Sequence, residues 1–492
     1  MFPFNRREFL KHSAAISAAL ASRRAISADE KPSSSASKVS SNDKLRVAVV
    51  GVNGRGMTHV AEFTRPSMGT EIVAVCDCDE GVIGKAMTTI EKNQKKTPKY
   101  VKDIRKLLED KSIDIISIAT PNHWHSLAAI WAMQAGKDVY CEKPVSHNVR
   151  EGRILAETAR KLNKICQCGT QSRSNPGMIQ SIEAVHSGKI GKVSLAYGTC
   201  YKSRGSIGKV AKPTAPPKGC DYDLWCGPAP VLPIARAKMH YDWHWTWAYG
   251  NGDLGNQGIH EMDKARWGLN KHELPKSVLS LGGRFGYVDD GETANTQLCL
   301  FDYGDCHLLF EVRGLKTKGT QPSKNTKAST MVGNIFFGDK GIVVCPSYGS
   351  GMVLDLDGKI LSEHAGGKDE YHFTNFVSAV RNRKPEELHA EITEGHLSSA
   401  LCHLGNISYR NGIETPICEV KKFSNVPTAN EAFGRMVEHL KDNKVDITTE
   451  KCKVGLELHI DPKKEVFTDP NPAAQSMLFR EYRKGYEVKD LV

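Results

Sequence analysis

No run of 18 or more apolar residues occurs in the 492-residue chain, so no segment is expected to cross a bilayer as a helix. C-x-x-C is absent too. The fourteen cysteines include two C-x-C pairs, Cys76/Cys78 and Cys166/Cys168, and nothing that opens a zinc site, so no metal is expected. A disulfide framework belongs to far shorter secreted chains. Cys76, Cys299 and Cys345 sit inside apolar, strand-like runs as buried thiols do, and whether any disulfide forms is left open. There is no internal repeat. The basic excess, formally +11, has no dense block; its tightest run, KNQKKTPK (92–99), reads as a solvated helix end and loop and not as a nucleic-acid surface. With 40% hydrophobic and 25% charged residues, the composition is that of a globular protein of two or three domains.

The N-terminus has a character of its own. NRREFLK (5–11) followed by HSAAISAAL resembles a twin-arginine export signal, with small residues suited to cleavage at Ala19 to Ala21 or at Ala28. A basic disordered tail is the plainer alternative. The Ser-rich stretch 33–41 reads as part of a flexible lead.

From residue 45 strand and helix alternate. LRVAVVG (45–51), EIVAVCD (71–77), DIISIAT (114–120) and DVYCE (138–142) are unbroken apolar runs, and HSLAAIWAMQAG (125–136) is helical and stops at Gly136. Runs without alternation mean strands buried on both faces, hence a parallel sheet under helices, an α/β doubly wound domain. After about residue 190, SLAYGTCYKS, KSVLSLGGRFGYV, TQLCLFDYGDCHLLFEVRG and NIFFGDKGIVVC read as strands of a mainly antiparallel sheet in an α+β domain. FTNFVSAVRNR and EGHLSSALCHLGNISYRNG (394–412) return as helices. The expected division is a signal at 1–28, a linker at 29–44, a dinucleotide-binding domain at 45–170, an α+β domain at 171–425, and an extension at 426–492 packed on the core. Residues 205–240, rich in Pro, Gly and Lys, form an irregular segment of the kind that covers a site.

VVGVNGRG (49–56) follows the first strand and precedes a helix. Gly51 and Gly56 flank Asn53 where a dinucleotide turn has its middle glycine, with Gly54 one place late. Asn tolerates left-handed backbone, and Gly54 restores freedom beside it; the Asn53 amide could also bond the nucleotide. Asp77, ending the second strand, is placed for the ribose hydroxyls and favours NAD over NADP, which Arg55 could offset. A merely structural turn is the competing reading. TPNHWH (120–125) and CEKP (141–144) end the third and fourth strands, where open α/β sheets bind ligands, so Thr120, Pro121, Asn122, His125, Glu142 and Lys143 join the cofactor candidates. His123 and His125 lack a third metal ligand; capping or cofactor contact suits them better. In GNGDLGNQGIHEMDKARWGL (250–269), Asn256, His260, Asp263 and Trp267 recur on one helical face. Spacing alone favours simple packing around Trp267. The aromatic run HYDWHWTWAYG (240–250) suits a core cluster as well as a wall for a sugar ring.

GVNGRG, Asp77, PNHWH, EKP and the later G-x-H helix, in this order over roughly residues 45–420, resemble the Gfo/Idh/MocA family of oxidoreductases. The resemblance implies a Rossmann domain, a second domain built on a large antiparallel sheet through which subunits pair, a bound NAD or NADP, and hydride transfer at a carbohydrate hydroxyl. It makes Lys143 the lysine that contacts nicotinamide and substrate, and His260 the acid/base. Where family members commonly carry an aspartate this chain has Asn256, so Asp263 is the remaining candidate for orienting the histidine. Arg173, Tyr241 and Trp245 join His260 as candidate substrate contacts. Export implies periplasmic location and a tightly held cofactor reoxidised in place. The alternatives are a redox-neutral glycoside hydrolase or lyase working through a transient keto-sugar, and a non-catalytic sugar-sensing protein. Expected partners are a small carbohydrate and further copies of the chain, with no nucleic acid.

Overall fold

A computed structural model describes residues 44–489; the signal at 1–28 and nearly all of the linker at 29–44 lie outside the described residues. The first sheet is built from β1 (Leu45–Val50), β2 (Thr70–Cys76), β3 (Lys99–Val101), β4 (Ile115–Ile118), β5 (Asp138–Cys141) and β6 (Cys166–Cys168). Between them run α1 (Gly56–Phe63), α2 (Gly84–Gln94), α3 (Ile104–Leu107), α4 (His125–Gln134) and α5 (Val149–Lys161). All strands are parallel, in the order β3-β2-β1-β4-β5-β6, the doubly wound arrangement whose direction reverses between β1 and β4. The unbroken apolar runs are explained by burial on both sides. Val47 and Val49 of β1 face a core with Phe63, while Ala48 and Val50 face another with Leu127 and Leu155.

The second sheet has twelve strands. It begins after α6 (Pro176–His186) with β7 (Val193–Tyr201); α7 (Tyr222–Cys226), α8 (Gly252–Asn256) and α9 (Gly258–Gly268) precede β8 (Ser277–Gly283). Then come β9 (Thr296–Asp302), β10 (His307–Arg313), β11 (Val332–Gly338), β12 (Ile342–Cys345), β13 (Ser350–Leu354) and β14 (Ile360–Ala365). After α10 (Asp369–Asn382) and α11 (Ile392–Arg410) follow β15 (Ile413–Pro416), α12 (Pro427–Asp442) and β16 (Lys451–Val454). The order β14-β13-β12-β11-β7-β10-β9-β8-β16-β15 is antiparallel except for β7 beside β10. Period-two alternation gives it two apolar faces. Ala196, Cys299 and Phe310 pack under Ile259, Met262 and Leu401, whereas Leu195, Leu298 and Leu309 share a core with Phe433 and Met436 of α12.

The sequence boundary at residue 170 does not separate two cores. Phe373 and Phe376 of α10 lie in the first sheet's core, with Phe373 stacked 4.5 Å from Tyr140. The C-terminal extension contributes β16 to the second sheet, and its Tyr486 meets Trp124 edge-on at 5.7 Å.

Candidate active site

The turn after β1 lies where the two halves of the parallel sheet diverge. Gly51 has φ +83°, and a Cβ added to it would lie 2.8 Å from the Ala119 carbonyl oxygen; one added to Gly56 would lie 1.9 Å from the Gly51 oxygen. Both glycines are therefore required by close backbone approach. Gly54 has open space around it, and neither it nor Asn53 takes a positive φ. The expected left-handed role of that pair is thus corrected: the turn closes through Gly51, and the Met57 N–H donates to the Gly54 oxygen at 3.0 Å as the chain enters α1. Asp77 accepts from the Val52 N–H at 2.9 Å and from the Asp79 N–H at 3.1 Å, and burial raises its pKa.

Arg55 is committed to two carboxylates, Glu142 at 2.9 Å and Asp369 at 2.9 Å. Its Nη2 is buried without a partner, so the guanidinium keeps one uncommitted nitrogen beside the cavity that Asp77 also lines. Burial opposes ionisation of Glu142, yet Arg55 and His59 hold its carboxyl well below the usual range. Gln171 donates to it at 3.2 Å and His59 Nε2 lies 3.2 Å away.

Lys143 is presented by the loop after β5 and donates to the Asn256 carbonyl at 2.8 Å. Burial lowers its pKa against the pull of Glu142. His260 stands on the first turn of α9. Its ring lies 4.8 Å from that of Tyr348, its Nδ1 has no partner, and burial followed by the charge of Lys143 pushes its pKa well below the ordinary histidine value. At neutral pH this is a desolvated, neutral imidazole with an open nitrogen.

A cavity of about 460 Å³ joins these parts. It runs from Gly51, Asn53, Gly54, Arg55 and Asp77, past Thr120, Pro121, Asn122, His125, Glu142 and Lys143, to Asn256 and His260. Trp225, Tyr241, Trp243, His244 and Tyr348 also line it. Trp243 stacks on His244 at 3.7 Å, and burial pushes His244 down to about 3. The residues fit a dinucleotide: the Gly51 and Gly56 positions leave backbone where a side chain would intrude, Asp77 faces the cavity, and the buried Thr120 hydroxyl has no partner.

The expected helical face divides. The chain stays helical through Gln257, where α8 gives way to α9 and the His260 N–H donates to the Gln257 oxygen at 3.2 Å. Asn256 and His260 line the cavity, whereas Asp263 lies behind it, fully buried, 2.8 Å from Arg173 and accepting from the Ser398 hydroxyl at 2.7 Å. Arg173, bonded also to Glu394 at 3.1 Å, is absent from the lining, as is Trp245. Neither Asp263 nor Arg173 touches His260 or the cavity; they form an ion pair beneath α9. His59, Gln171, Tyr348 and Asp369 carry no motif of their own, and only the fold brings them here; the Trp243/His244 wall was signalled by the aromatic run.

Two family models match in succession. The oxidoreductase family's NAD-binding Rossmann fold matches residues 45–170, and the same family's C-terminal alpha/beta domain matches residues 184–281. A glycosyl hydrolase family 109 protein of Shewanella sp. (strain W3-18-1) is 35% identical over 180 residues, 34% of this chain and 39% of that protein. An inositol 2-dehydrogenase of Salmonella typhimurium is 29% identical over 160 residues, 32% of this chain and 46% of that protein. The match thus spans about two-fifths of the curated relatives' own length. The WlbA dehydrogenase from Bordetella pertussis, solved with NADH and UDP-GlcNAcA, has a TM-score of 0.54 at 19% identity, over 75% of this chain and 98% of that one. Levoglucosan dehydrogenase, solved with NADH and levoglucosan, gives 0.55 at 14% identity over 74% and 97%. These two establish shared fold. Residues 45–170 thus carry the NAD-binding Rossmann domain of the Gfo/Idh/MocA oxidoreductase family, and residues 184–281 match that family's second domain.

Proposed function

We propose that this chain is an NAD-dependent oxidoreductase that moves a hydride between bound nicotinamide and a hydroxyl-bearing carbon of a sugar, cyclitol or related carbohydrate. The observation that carries it is one cleft with the Gly51 turn and Asp77 at one end and Lys143 with the unpartnered His260 at the other. Bound nicotinamide supplies the hydride acceptor or donor. The neutral His260 imidazole takes the substrate's hydroxyl proton, and the Lys143 ammonium stabilises the alkoxide left behind. Asp77 bonds the ribose hydroxyls, and its carboxylate favours NAD over NADP. Tyr241, Trp243 and Tyr348 offer rings to a sugar face and keep water out.

The NRREFLK segment supports export by the twin-arginine route, and hence a cofactor that stays bound between turnovers, since a free NAD pool belongs to the cytoplasm. Self-association through the second sheet is part of the same reading. A second reading is favoured by the 33–35% identity to relatives named as glycosyl hydrolases, including an alpha-N-acetylgalactosaminidase of Shewanella oneidensis: oxidation to a transient ketone, elimination of the glycosidic substituent, and return of the hydride. The discriminating experiment mixes the nucleotide-loaded protein with a panel of sugars, cyclitols and aryl glycosides. A substrate-dependent rise in reduced-nicotinamide absorbance is expected. Release of aglycone without net reduction establishes the second reading, and silence from every compound sinks both.

A further inference from the structure

The irregular segment after β7 returns to the cleft mouth and is tied to the end of β2 beside Asp77. The Asp221 N–H donates to the Cys78 carbonyl at 2.9 Å, and Asp79 pairs with Cys220 in an isolated antiparallel bridge. Lys102 donates to the Gly219 oxygen at 3.3 Å, and His240 Nε2 lies 2.8 Å from Asp79. Beyond these ties the same segment supplies Leu224, Trp225, His240, Tyr241, Trp243 and His244 to the cavity wall. Hydrogen bonds thus hold a cover over the Asp77 end.

Cys78 and Cys220 sit at this seam. Of the fourteen cysteines, eleven are buried and Cys418 is exposed by itself; these two are the half-buried ones. Both pack against the cluster of Trp225, Cys226 and Trp243, and Cys78 lines the cavity. The neighbouring Cys220 thiol and burial hold Cys78 above the ordinary thiol range. Two half-buried thiols from segments more than a hundred residues apart thus share one apolar cluster, at positions that the Asp79–Cys220 bridge and the Asp221–Cys78 hydrogen bond set side by side, the approach from which a disulfide can form.

We propose that Cys78 and Cys220 are a thiol–disulfide site, closed by a disulfide donor of the oxidised-glutathione class, whose bond fastens the cover across the nucleotide end of the cleft. One thiolate of the pair attacks the donor's disulfide, forming a mixed disulfide and releasing one donor thiol. The second loses its proton and displaces the other donor thiol, leaving a Cys78–Cys220 bond. Two electrons and two protons leave the pair, and the donor is reduced to two thiols. The consequence for cofactor retention rests on the functional reading above; formation of the bond does not.

The test uses the full chain, held with reduced or oxidised glutathione, alkylated and digested without reductant. Mass spectrometry is expected to find one peptide pair joining Cys78 to Cys220 in the oxidised sample, absent after reduction and absent from C78S and C220S, but present in C418S. Tryptic cleavage after the exposed Lys209 and Lys218 should slow on oxidation in the wild type alone. NAD release, followed by dilution, should slow by about 10-fold in the oxidised protein. Both cysteines remaining alkylatable, each carrying a separate glutathione, or a bond to another cysteine would overturn the site. A bond that changes neither cleavage nor release would overturn the fastening. Protein that binds no NAD yet forms the bond and slows cleavage would sink the functional reading and leave the site standing.

Discussion

At the scale of single residues, His260 is a base at neutral pH because burial and the Lys143 charge both disfavour its protonated form. Activity that needs the neutral ring should therefore persist as pH falls through the ordinary histidine range, and be lost only well below 6.5. Replacing Lys143 by Met removes the largest of the charges that lower it, so the His260 pKa should rise; an NMR titration of the imidazole checks this without turnover, and an unchanged or lower value would contradict the pairing. In the turn, Gly56→Ala should cost more than about 2 kcal/mol of stability because its Cβ meets the Gly51 oxygen, whereas Gly54→Ala should stay within about 0.5 kcal/mol. Chemical unfolding of the two variants decides it. Lys143, His260 and Asp77 were legible in the sequence because each sits in a short motif at a strand end or helix start. Tyr348 and Asp369 were not, since a loop residue carries no local sign of the cleft it will line. Asn256 was legible as a position, though it is its backbone oxygen that Lys143 holds.

At the scale of elements, α5 and α11 are bound to the C-terminal extension by Glu465, which lies 2.9 Å from His396 and is paired with Arg153. Burial opposes its ionisation, but His396 and Arg153 pull its pKa down to about 2. Glu394 is likewise held at about 2, against burial, by Arg266 and Arg173. A depressed carboxylate contributes stability that is full above its unfolded pKa and lost as pH falls through the folded one. Both contributions should therefore be present at neutral pH and fade between 4.5 and about 2. Glu465→Gln should lower stability at neutral pH and shrink the loss on acidification, as denaturant midpoints across that range would report; an unshifted pH dependence would remove Glu465 from the account. β1, β2, β4, β5 and β7 to β12 were legible because their apolar patterns are local, whereas the short β3 and β6 and the half-exposed β13 to β16 carry too little pattern to be read. What local pattern could not give was the pairing of β7 with β10 and the place of α10 in the first core, since both join residues far apart in sequence.

At the scale of the whole molecule, one cleft takes its floor from the ends of β1, β2, β4 and β5 and its wall from the segment between Leu224 and His260. Covered from both sides, bound NAD should survive extended dialysis of the purified chain, which mass spectrometry of the denatured protein would show; complete loss would argue against retention. Arg173 and Asp263 look like site residues in a linear reading, but three-dimensional packing spends them on each other beneath α9. The central claim is that His260 moves the proton while the opposite end of the cleft holds the nucleotide. It is tested most directly by a single turnover of His260→Ala beside the wild type, each loaded with NAD and mixed with the best substrate of the panel. The variant should keep its nucleotide and lose the rate of nicotinamide reduction by about 10²–10⁴-fold. Reduction at the wild-type rate would contradict the assignment.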